Sequence, residues 1–228
     1  MAMKDLIIFG TGNIADVLFY YFTNESEFNT VAFTVDSKYI TDATKNGLPI
    51  IPFDEIEQHY PTETHCMFIA LGYQNLNDLR QHKLKQAKEK GFEIISFIHP
   101  RSNIPNDLVY GENCFIMNNA SIHPRVKLGN NVFVWSGAII GHHSIIEDHC
   151  WLTSGSNVAG DVVIGSNSFL AINATIAHRV KIGQRCFIGS NALVIKNIAD
   201  KTVMIEKPTQ PYRLDSDNFL KLTGFSDT

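Results

Sequence analysis

Aliphatic residues recur at every sixth position through the second half of the chain. From residue 116 to residue 194, fourteen successive hexad positions hold only Ile, Leu or Val. A period of six fits neither an amphipathic helix nor a hairpin, and it is typical of short strands joined by bends. Three hexads then form one triangular coil of 18 residues, which predicts a parallel β-helix of about five coils between about residues 104 and 198. The aliphatic positions are Ile116, Ile122, Leu128, Val134, Ile140, Ile146, Leu152, Val158, Ile164, Leu170, Ile176, Ile182, Ile188 and Val194.

Two other positions of the hexad are also restricted. The residue after each aliphatic is often Gly or Ala, which suits a tight corner with no room for a side chain, and the residue two before it is often small or Val. Cys114, Cys150 and Cys186 share the second of these positions, two coils apart. Stacked strands would hold neighbouring thiols about 9.6 Å from each other, too far for a disulfide. We therefore expect these cysteines to pack in the core rather than to act as nucleophiles.

The first hundred residues follow a different pattern, in which strand-like apolar runs alternate with helical spacing. This alternation predicts a small parallel α/β sheet. The predicted strands cover residues 6–9, 30–35, 66–71 and 92–98, and the predicted helices cover 14–22, 54–59 and 76–90.

A glycine loop links the first predicted strand to the first helix. It reads GTGNIA from Gly10, and the acidic Asp36 follows 26 positions later, at the end of the second strand. This GxGxxA pattern resembles a dinucleotide-binding fingerprint, in which helix N-terminal amides hold phosphates and a carboxylate binds ribose. About 100 residues hold only half of the doubly wound fold, so a mononucleotide moiety fits better than NAD. Alternatively, Gly10 and Gly12 only form a tight turn.

Composition narrows the class of protein. The chain has 228 residues, of which 44% are apolar and 18% charged, as in ordinary globular proteins. The formal net charge is −4 and the basic residues are scattered, which argues against nucleic-acid and membrane partners. The chain shows neither a signal-peptide pattern nor an apolar run of the roughly 18 residues that span a bilayer. We therefore expect a cytoplasmic protein whose four cysteines are reduced.

The order of these segments resembles that of the bacterial nucleotide-sugar acyltransferases that modify amino sugars in bacillosamine and related glycan pathways, and that of sialic acid O-acetyltransferases. This resemblance implies a Rossmann-like α/β domain over residues 1–100 that binds a nucleotide sugar. It also implies a left-handed parallel β-helix acyltransferase domain over 101–200 and a C-terminal tail over 201–228. The segments that carry it are FGTGNIA (9–15), Asp36, IALGYQNLNDLR (69–80), FIHPRSNIP (97–105), GAIIGHHSIIED (137–148), SNVAGDVVIG (156–165) and FLAINATI (169–176).

The resemblance places the catalytic base at the third position of a hexad, which is His142 here. An imidazole is largely neutral at pH 7 and can accept the proton that an attacking amine or hydroxyl loses. His143 follows where relatives carry a carboxylate, so Glu147, Asp148 or a neighbouring subunit is left to orient the base. Gly160 lies one coil from His142, and the matching amide in relatives binds the acyl oxygen. Alternatively, Gly160 only permits a corner with positive φ.

Other site residues are also implied by the resemblance. Acetyl-CoA is the expected cosubstrate, no metal is expected, and homotrimers with sites between β-helices are expected. His149 has no matching role and is expected to be a surface residue, and Tyr73 either stacks on the nucleotide base or is an ordinary loop aromatic. The residues expected to contact coenzyme A are Gly160, Ile172, Trp151 and His178. Those expected to contact the nucleotide sugar are Gly10, Gly12, Asn13, Asp36, Gly72, Tyr73 and Asn75.

Three functions from different classes are compatible with the sequence. The first is an N-acetyltransferase that acts on the amino group of a nucleotide-linked sugar. The second is an O-acetyltransferase of the same build, which would accept a sugar hydroxyl. The third is a non-catalytic β-helix protein or a metal protein that uses His123, His142 and His178. Zinc requires its ligands to converge within about 2.1 Å of one point, which three different coil levels do not favour.

Overall fold

The computed structural model describes residues 4–224 and begins with a six-stranded sheet in the order β3-β4-β2-β1-β5-β6. All neighbouring strands in this N-terminal sheet are parallel except β3 and β4, which form an antiparallel pair at one edge. The predicted α/β sheet is therefore confirmed. Its elements are β1 (Asp5–Phe9), α1 (Asn13–Glu25), β2 (Thr30–Val35), β3 (Thr44–Lys45), β4 (Leu48–Pro52), α2 (Ile56–His59), β5 (His65–Ile69), α3 (Asp78–Glu89) and β6 (Glu93–Ile94).

Two features of this sheet differ from the prediction. The edge pair β3–β4 was not predicted, because Pro49 and Pro52 are typical of a loop and are tolerated in a strand only at an edge. The run predicted as one strand over 92–98 is divided into β6 and a separate strand, β7 (Phe97–Ile98). The second of these pairs with the β-helix instead of the N-terminal sheet.

Three further sheets form the sides of a triangular prism, and all their strands are parallel. Paired strands lie 18 residues apart, as Phe133 and Trp151 do, which confirms the predicted coil. The last pair of one side differs, since Phe187 and Val203 are 16 residues apart. Sheet A contains β7, β8 (Phe115–Ile116), β11 (Phe133–Val134), β14 (Trp151–Leu152), β17 (Phe169–Leu170), β20 (Phe187–Ile188) and β22 (Val203–Met204). Sheet B contains β9 (Ser121–Ile122), β12 (Ile139–Ile140), β15 (Asn157–Val158), β18 (Thr175–Ile176) and β21 (Leu193–Val194). Sheet C contains β10 (Lys127–Leu128), β13 (Ile145–Ile146), β16 (Val163–Ile164) and β19 (Lys181–Ile182).

The fourteen predicted aliphatic residues fill the prism, and none is more than 4% exposed. Burying such a side chain contributes about 1.5–3 kcal/mol, so the stacked columns are the main stabilising feature of this half. Cys114, Cys150 and Cys186 lie in the same core as free thiols, as predicted. Burial raises the pKa of Cys150 to about 12 and that of Cys114 to about 11, which removes the thiolate that a nucleophile needs.

The prism turns its corners on a residue with positive φ, three positions after each aliphatic. Asn, Asp and Gly tolerate this conformation best, and the corner positions are enriched in Asn and Gly. The small residue just after the aliphatic was predicted to sit where there is no room for a side chain, and the structure confirms this. A Cβ on Gly141 would lie 2.5 Å from the carbonyl carbon of Ala159, so the limit is the closeness of the next coil. The corner residues are Asn113, Asn119, Arg125, Asn131, Gly137, His143, His149, Gly155, Asp161, Asn167, Asn173, Arg179, Arg185 and Asn191.

The prism is longer than predicted and is followed by one helix. Its strands extend from Phe97 to Met204, beyond the predicted range of about 104 to 198. The tail forms α4 (Ser216–Thr223), whose first turn is capped by the Asp215 carboxylate on the Asn218 amide. This helix buries none of its residues. Within residues 4–224, no helix is long and apolar enough to cross a membrane.

Sheet A carries a ladder of aromatic residues on its outer surface, and the N-terminal sheet covers it. Phe133 and Trp151 stack with their centroids 4.8 Å apart, and both belong to one apolar cluster with Leu6, Phe22 and Phe68. The two halves therefore share a core. The outer ladder consists of Phe115, Phe133, Trp151, Phe169 and Phe187.

The corner between sheets C and A holds helix α3 through a column of polar side chains. Asn131 accepts hydrogen bonds from Arg80, whose buried guanidinium also lies over the rings of Phe133 and Trp151. Burial lowers the pKa of Arg80 to about 9. At the next levels, Asn167 donates to the carbonyl oxygen of Leu76, and Arg185 forms a bidentate pair with Asp78. This column is Asn113, Asn131, His149, Asn167 and Arg185.

Candidate active site

His142 lies at the corner between sheets B and C, on the side of the prism opposite sheet A. The corner follows from its place between β12 and β13, and the side chain is exposed. Its ring packs on Gly160 of the next coil, where a Cβ would come within 2.6 Å of ring Cε1 and 2.7 Å of Nε2. The predicted stacking of these two residues is therefore present.

The Gly160 amide is unpaired, since it donates to no acceptor within residues 4–224. At the corner between sheets C and A, the equivalent amides of Asn130 and Ser166 donate to the carboxylates of Asp148 and Glu147. Such bonds are confined to that corner: at the His142 corner, the equivalent amides of His142 and His178 also have no acceptor within these residues, so the Gly160 amide is one of several unpaired turn amides. Gly160 has no positive φ, so the alternative that it serves only as a left-handed corner is wrong. Its lack of a Cβ makes room for the imidazole.

His143 contacts His142 directly. The two Nδ1 atoms are 3.1 Å apart, so one must carry a proton and donate to the other. If His142 Nδ1 is the donor, its Nε2 is the unprotonated atom and lies over Gly160. His143 has a φ of +61°, which turns its ring toward its neighbour at the corner.

The predicted partners Glu147 and Asp148 lie at the corner between sheets C and A and do not contact His142. Each binds an amide of an adjacent coil, as described above. The acidic residue at the His142 corner is Asp161, which sequence reasoning missed. One ligand atom from each of His142, His143 and Asp161 lies within 4.8 Å of the other two. The 18-residue spacing could have identified Asp161 from the sequence, since Asp161 lies one coil after His143.

His149 is part of the column that holds α3, so the expectation of a surface histidine was wrong. Its Nδ1 lies 3.0 Å from Asn131 Nδ2 and its side chain is half-buried. Burial lowers the pKa of His149, and Arg80 nearby acts in the same direction while Asp148 opposes it. His149 is therefore a structural residue in this chain.

The residues assigned to coenzyme A are spread over the prism. His178 lies at the His142 corner, with ring centroids 6.2 Å apart because the two rings lean together, closer than the 9.6 Å of two coil steps. Ile172 is 54% exposed but lies at the corner between sheets A and B. Trp151 is only 2% exposed and is covered by the N-terminal sheet, so its assignment to coenzyme A was wrong.

A cavity of about 790 Å³ lies over the glycine loop, at the C-terminal ends of β1 and β5. Gly10 has a φ of +123°, and a Cβ there would lie 2.7 Å from the carbonyl oxygen of Ala70, so this position requires glycine. A Cβ on Gly12 would meet nothing within 4 Å, which leaves the entrance to α1 open. The lining residues are Gly10, Thr11, Gly12, Asn13, Ile14, Val35, Tyr39, Ala70, Leu71, Gly72, Tyr73 and Gln74.

Five of the seven residues assigned to the nucleotide sugar therefore line this cavity. Asp36 and Asn75 do not, and the Asp36 carboxylate is bound by the Lys83 ammonium. Tyr73 lines the cavity with its ring 4.7 Å from that of Phe169, at the end of the aromatic ladder. Gln74 also lines the cavity, within the segment 72–75 that follows β5, at the end of a parallel strand where α/β sheets bind ligands.

The three histidines of the metal alternative do not come together. Among residues 4–224, the group whose ligand atoms converge does not include His123. The zinc set proposed from the sequence is therefore wrong.

Comparisons with known proteins agree with this architecture. A family model of the bacterial transferase hexapeptide, described as six repeats, matches residues 111–142 and 161–196. This part of the chain carries bacterial transferase hexapeptide repeats. A search of curated proteins finds no match.

Solved structures with hexapeptide repeats match nearly the whole chain. The acetyltransferase domain of PglB from Neisseria gonorrhoeae, in complex with acetyl coenzyme A, has a TM-score of 0.81 at 19% identity, covering 92% of this chain and 100% of that one. PerB from Caulobacter crescentus, with CoA and GDP-perosamine, has a TM-score of 0.80 at 24% identity, covering 92% and 97%. WeeI from Acinetobacter baumannii has a TM-score of 0.77 at 16% identity, covering 91% and 99%. The predicted fold, an α/β domain followed by a left-handed parallel β-helix, is thus confirmed.

Proposed function

We propose that this protein is an acetyl-CoA-dependent N-acetyltransferase that acts on the amino group of a nucleotide-linked amino sugar. The observation that carries the proposal is the pair of His142 and Gly160, which places a proton acceptor next to an unpaired amide donor. Acyl transfer to an amine requires both groups at one place. The fold shared with PglB in its acetyl coenzyme A complex and with PerB in its GDP-perosamine complex supports the same reaction.

In the proposed reaction, the sugar amine attacks the thioester carbonyl carbon and His142 Nε2 accepts the amine proton. The Nδ1 proton of His142 is donated to His143, which holds the ring in the tautomer that leaves Nε2 free. The Gly160 N–H donates to the oxyanion of the tetrahedral intermediate. Collapse of the intermediate breaks the C–S bond, and the proton held by His142 passes to the departing thiolate. No covalent enzyme intermediate is needed, which agrees with the raised pKa values of the buried thiols.

The cavity over the glycine loop is the proposed site for the nucleotide. The unpaired first turn of α1, with Gly12 as its uncapped N-terminal residue, offers amides and a favourable dipole to phosphate. Tyr73 and Gln74, which line this cavity, are available to contact the nucleobase or the sugar. We further propose that the reaction takes place in the cytoplasm, which the four free thiols support.

One chain does not bring its own nucleotide cavity to its own His142. The N-terminal sheet covers sheet A, while His142 lies at the corner between sheets B and C. A sugar nucleotide held by one chain therefore needs His142 of a second copy. This separation supports a homotrimer in which each site is formed by two chains.

The test is turnover of the purified protein with acetyl-CoA and a panel of UDP-, dTDP- and GDP-linked amino sugars, followed by thiol release. We expect acylation of at least one member, and a decrease of about 10² to 10⁴ in kcat for His142→Asn. The matched control is His123→Asn, another exposed histidine at the same edge of the prism. Transfer only to hydroxyl sugars would indicate the O-acetyltransferase instead, and wild-type turnover by His142→Asn would contradict the assignment of the base.

A further inference from the structure

The corner that carries His142 has a carboxylate in an unusual place. Asp161 lies one coil after His143, and its backbone amide donates to the carbonyl oxygen of His142 at 2.9 Å. Its carboxylate lies within 4.8 Å of a nitrogen of His142 and a nitrogen of His143. It is also 3.6 Å from His178 Nε2, so three imidazoles surround a single acidic group.

We infer that Asp161 is a positioning residue for His142 and supplies from the next coil the negative charge that the base needs. This inference rests on the proposed function. When His142 accepts a proton it becomes an imidazolium, and its neighbour His143 is neutral and offers only a lone pair. A carboxylate within 4.8 Å favours the charged ring over the neutral one.

All the charged and titratable groups at this corner must be weighed together. His143 and His178 are neutral partners of the ring when unprotonated, and Arg179 lies 4.0 Å from the Asp161 carboxylate. The guanidinium of Arg179 partly offsets the carboxylate, and solvent screens the whole group because all these side chains are exposed. The effect of Asp161 is therefore moderate, about tenfold in rate rather than the loss expected for the base itself.

Asp161 also has a structural role, because its backbone forms the corner of the coil. Its φ of +56° is the left-handed corner conformation, which Asp adopts readily. Asn adopts it equally well, so Asp161→Asn removes the charge and keeps the corner. A loss of activity in this variant is then a loss of charge and not of structure, which the unfolding midpoint will check.

The experiment compares Asp161→Asn with the double variant His143→Asp/Asp161→Asn. We expect Asp161→Asn to lower kcat about tenfold with little change in the KM for acetyl-CoA, because the ring that accepts the proton in the transition state loses its counter-charge. The double variant restores a carboxylate beside His142 and is expected to recover most of kcat. The matched control is Asp107→Asn, an exposed carboxylate 3.9 Å from Arg125 at the same corner, three coils before Asp161.

A readout that needs no acceptor sugar separates this inference from the proposed function. In a crystal structure of the free Asp161→Asn variant, the His142 ring should leave the position over Gly160 that it has in the wild type. An unmoved ring, kcat within twofold of wild type, or a loss that His143→Asp does not rescue would each overturn the inference. If His142→Asn retains full turnover, the proposed function fails instead, whatever Asp161 does.

Discussion

The imidazole of His142 occupies the space that a side chain on Gly160 would need. A Cβ at residue 160 would approach ring Nε2 to 2.7 Å, closer than any real non-bonded contact. The same glycine carries an amide with no acceptor, so the proposed base and the proposed oxyanion donor meet at one residue. Glycine at this position therefore serves the site rather than the fold.

Gly160→Ala is expected to impair catalysis and leave folding intact. The added methyl group displaces the His142 ring, which is exposed and free to rotate, and the backbone has no positive φ that alanine would strain. We expect kcat to fall about 10- to 100-fold, by analogy with the loss of an aligned proton acceptor or oxyanion donor. The unfolding midpoint should stay near that of the wild type. Ser154→Ala, at the same turn position of another corner, is the control, and unchanged turnover in Gly160→Ala would contradict the geometry.

Gly141→Ala is expected to do the opposite. Its Cβ would lie 2.5 Å from the carbonyl carbon of Ala159 and 2.6 Å from the amide nitrogen of Gly160, and neither backbone atom can rotate away. Forcing the coils apart should lower the free energy of unfolding by about 1–3 kcal/mol, as overpacking of a core does. Urea unfolding of the two alanine variants side by side measures this difference. If Gly141→Ala and Gly160→Ala had the same free energy of unfolding, the coils would separate at a lower energetic cost than these short distances indicate.

The repeat was readable from the sequence because every coil imposes the same demands on the same position. Ile116 and Val194 satisfy one steric rule thirteen hexads apart, so chance substitutions do not hide the pattern. The pairing of His142 with Gly160 was predictable for the same reason, since 18 residues is one turn of the prism. The lack of room for a side chain after each aliphatic was also predicted, although its cause, the backbone of the next coil, is not a property of local φ and ψ.

Contacts between the N-terminal sheet and the β-helix could not be predicted from the six-residue repeat. Trp151 occupies an outward position of its strand, and only the docking of the N-terminal sheet buries it. The stacked aromatics at 18-residue spacing, such as Phe115 and Phe133, were the available signal of a covered face. Asp161 was missed because side chains from different coils lean toward each other, as the 6.2 Å between the rings of His142 and His178 illustrates.

Stability should decrease in mild acid because of His149. Asn131 Nδ2 lies 3.0 Å from His149 Nδ1, and with its Oδ1 already bound by Arg80 and Asn113, the amide donates to an unprotonated ring. Burial lowers the pKa of His149 from its ordinary value of about 6.5. The unfolded chain therefore binds a proton first as pH falls, and stability present above about pH 6.5 is lost below it.

His149→Asn should reduce this pH dependence. Asparagine is already used at this corner by Asn131 and Asn167 and adopts positive φ readily, so the fold should be retained. The measurement is the urea midpoint from about pH 7.5 to 5, with exposed His59→Asn as the control. The urea midpoint will still depend on pH to some extent because of His99, since burial lowers the pKa of that residue as well. A slope as steep as that of the wild type would mean that His149 is not the group responsible.

Mixed oligomers test whether each site uses two chains. His142→Asn removes the base, and Gly12→Leu fills the nucleotide cavity, where a Cβ at residue 12 meets nothing within 4 Å and should not disturb the fold. Each variant alone should be inactive. Co-expressed with different tags and purified through both, they should recover up to about a third of wild-type turnover, because in a trimer that contains both variants one of the three sites joins an intact cavity with an intact His142. Oligomers that carry both tags but recover no turnover would place both halves of the site in one chain, in conflict with their positions on opposite sides of the prism.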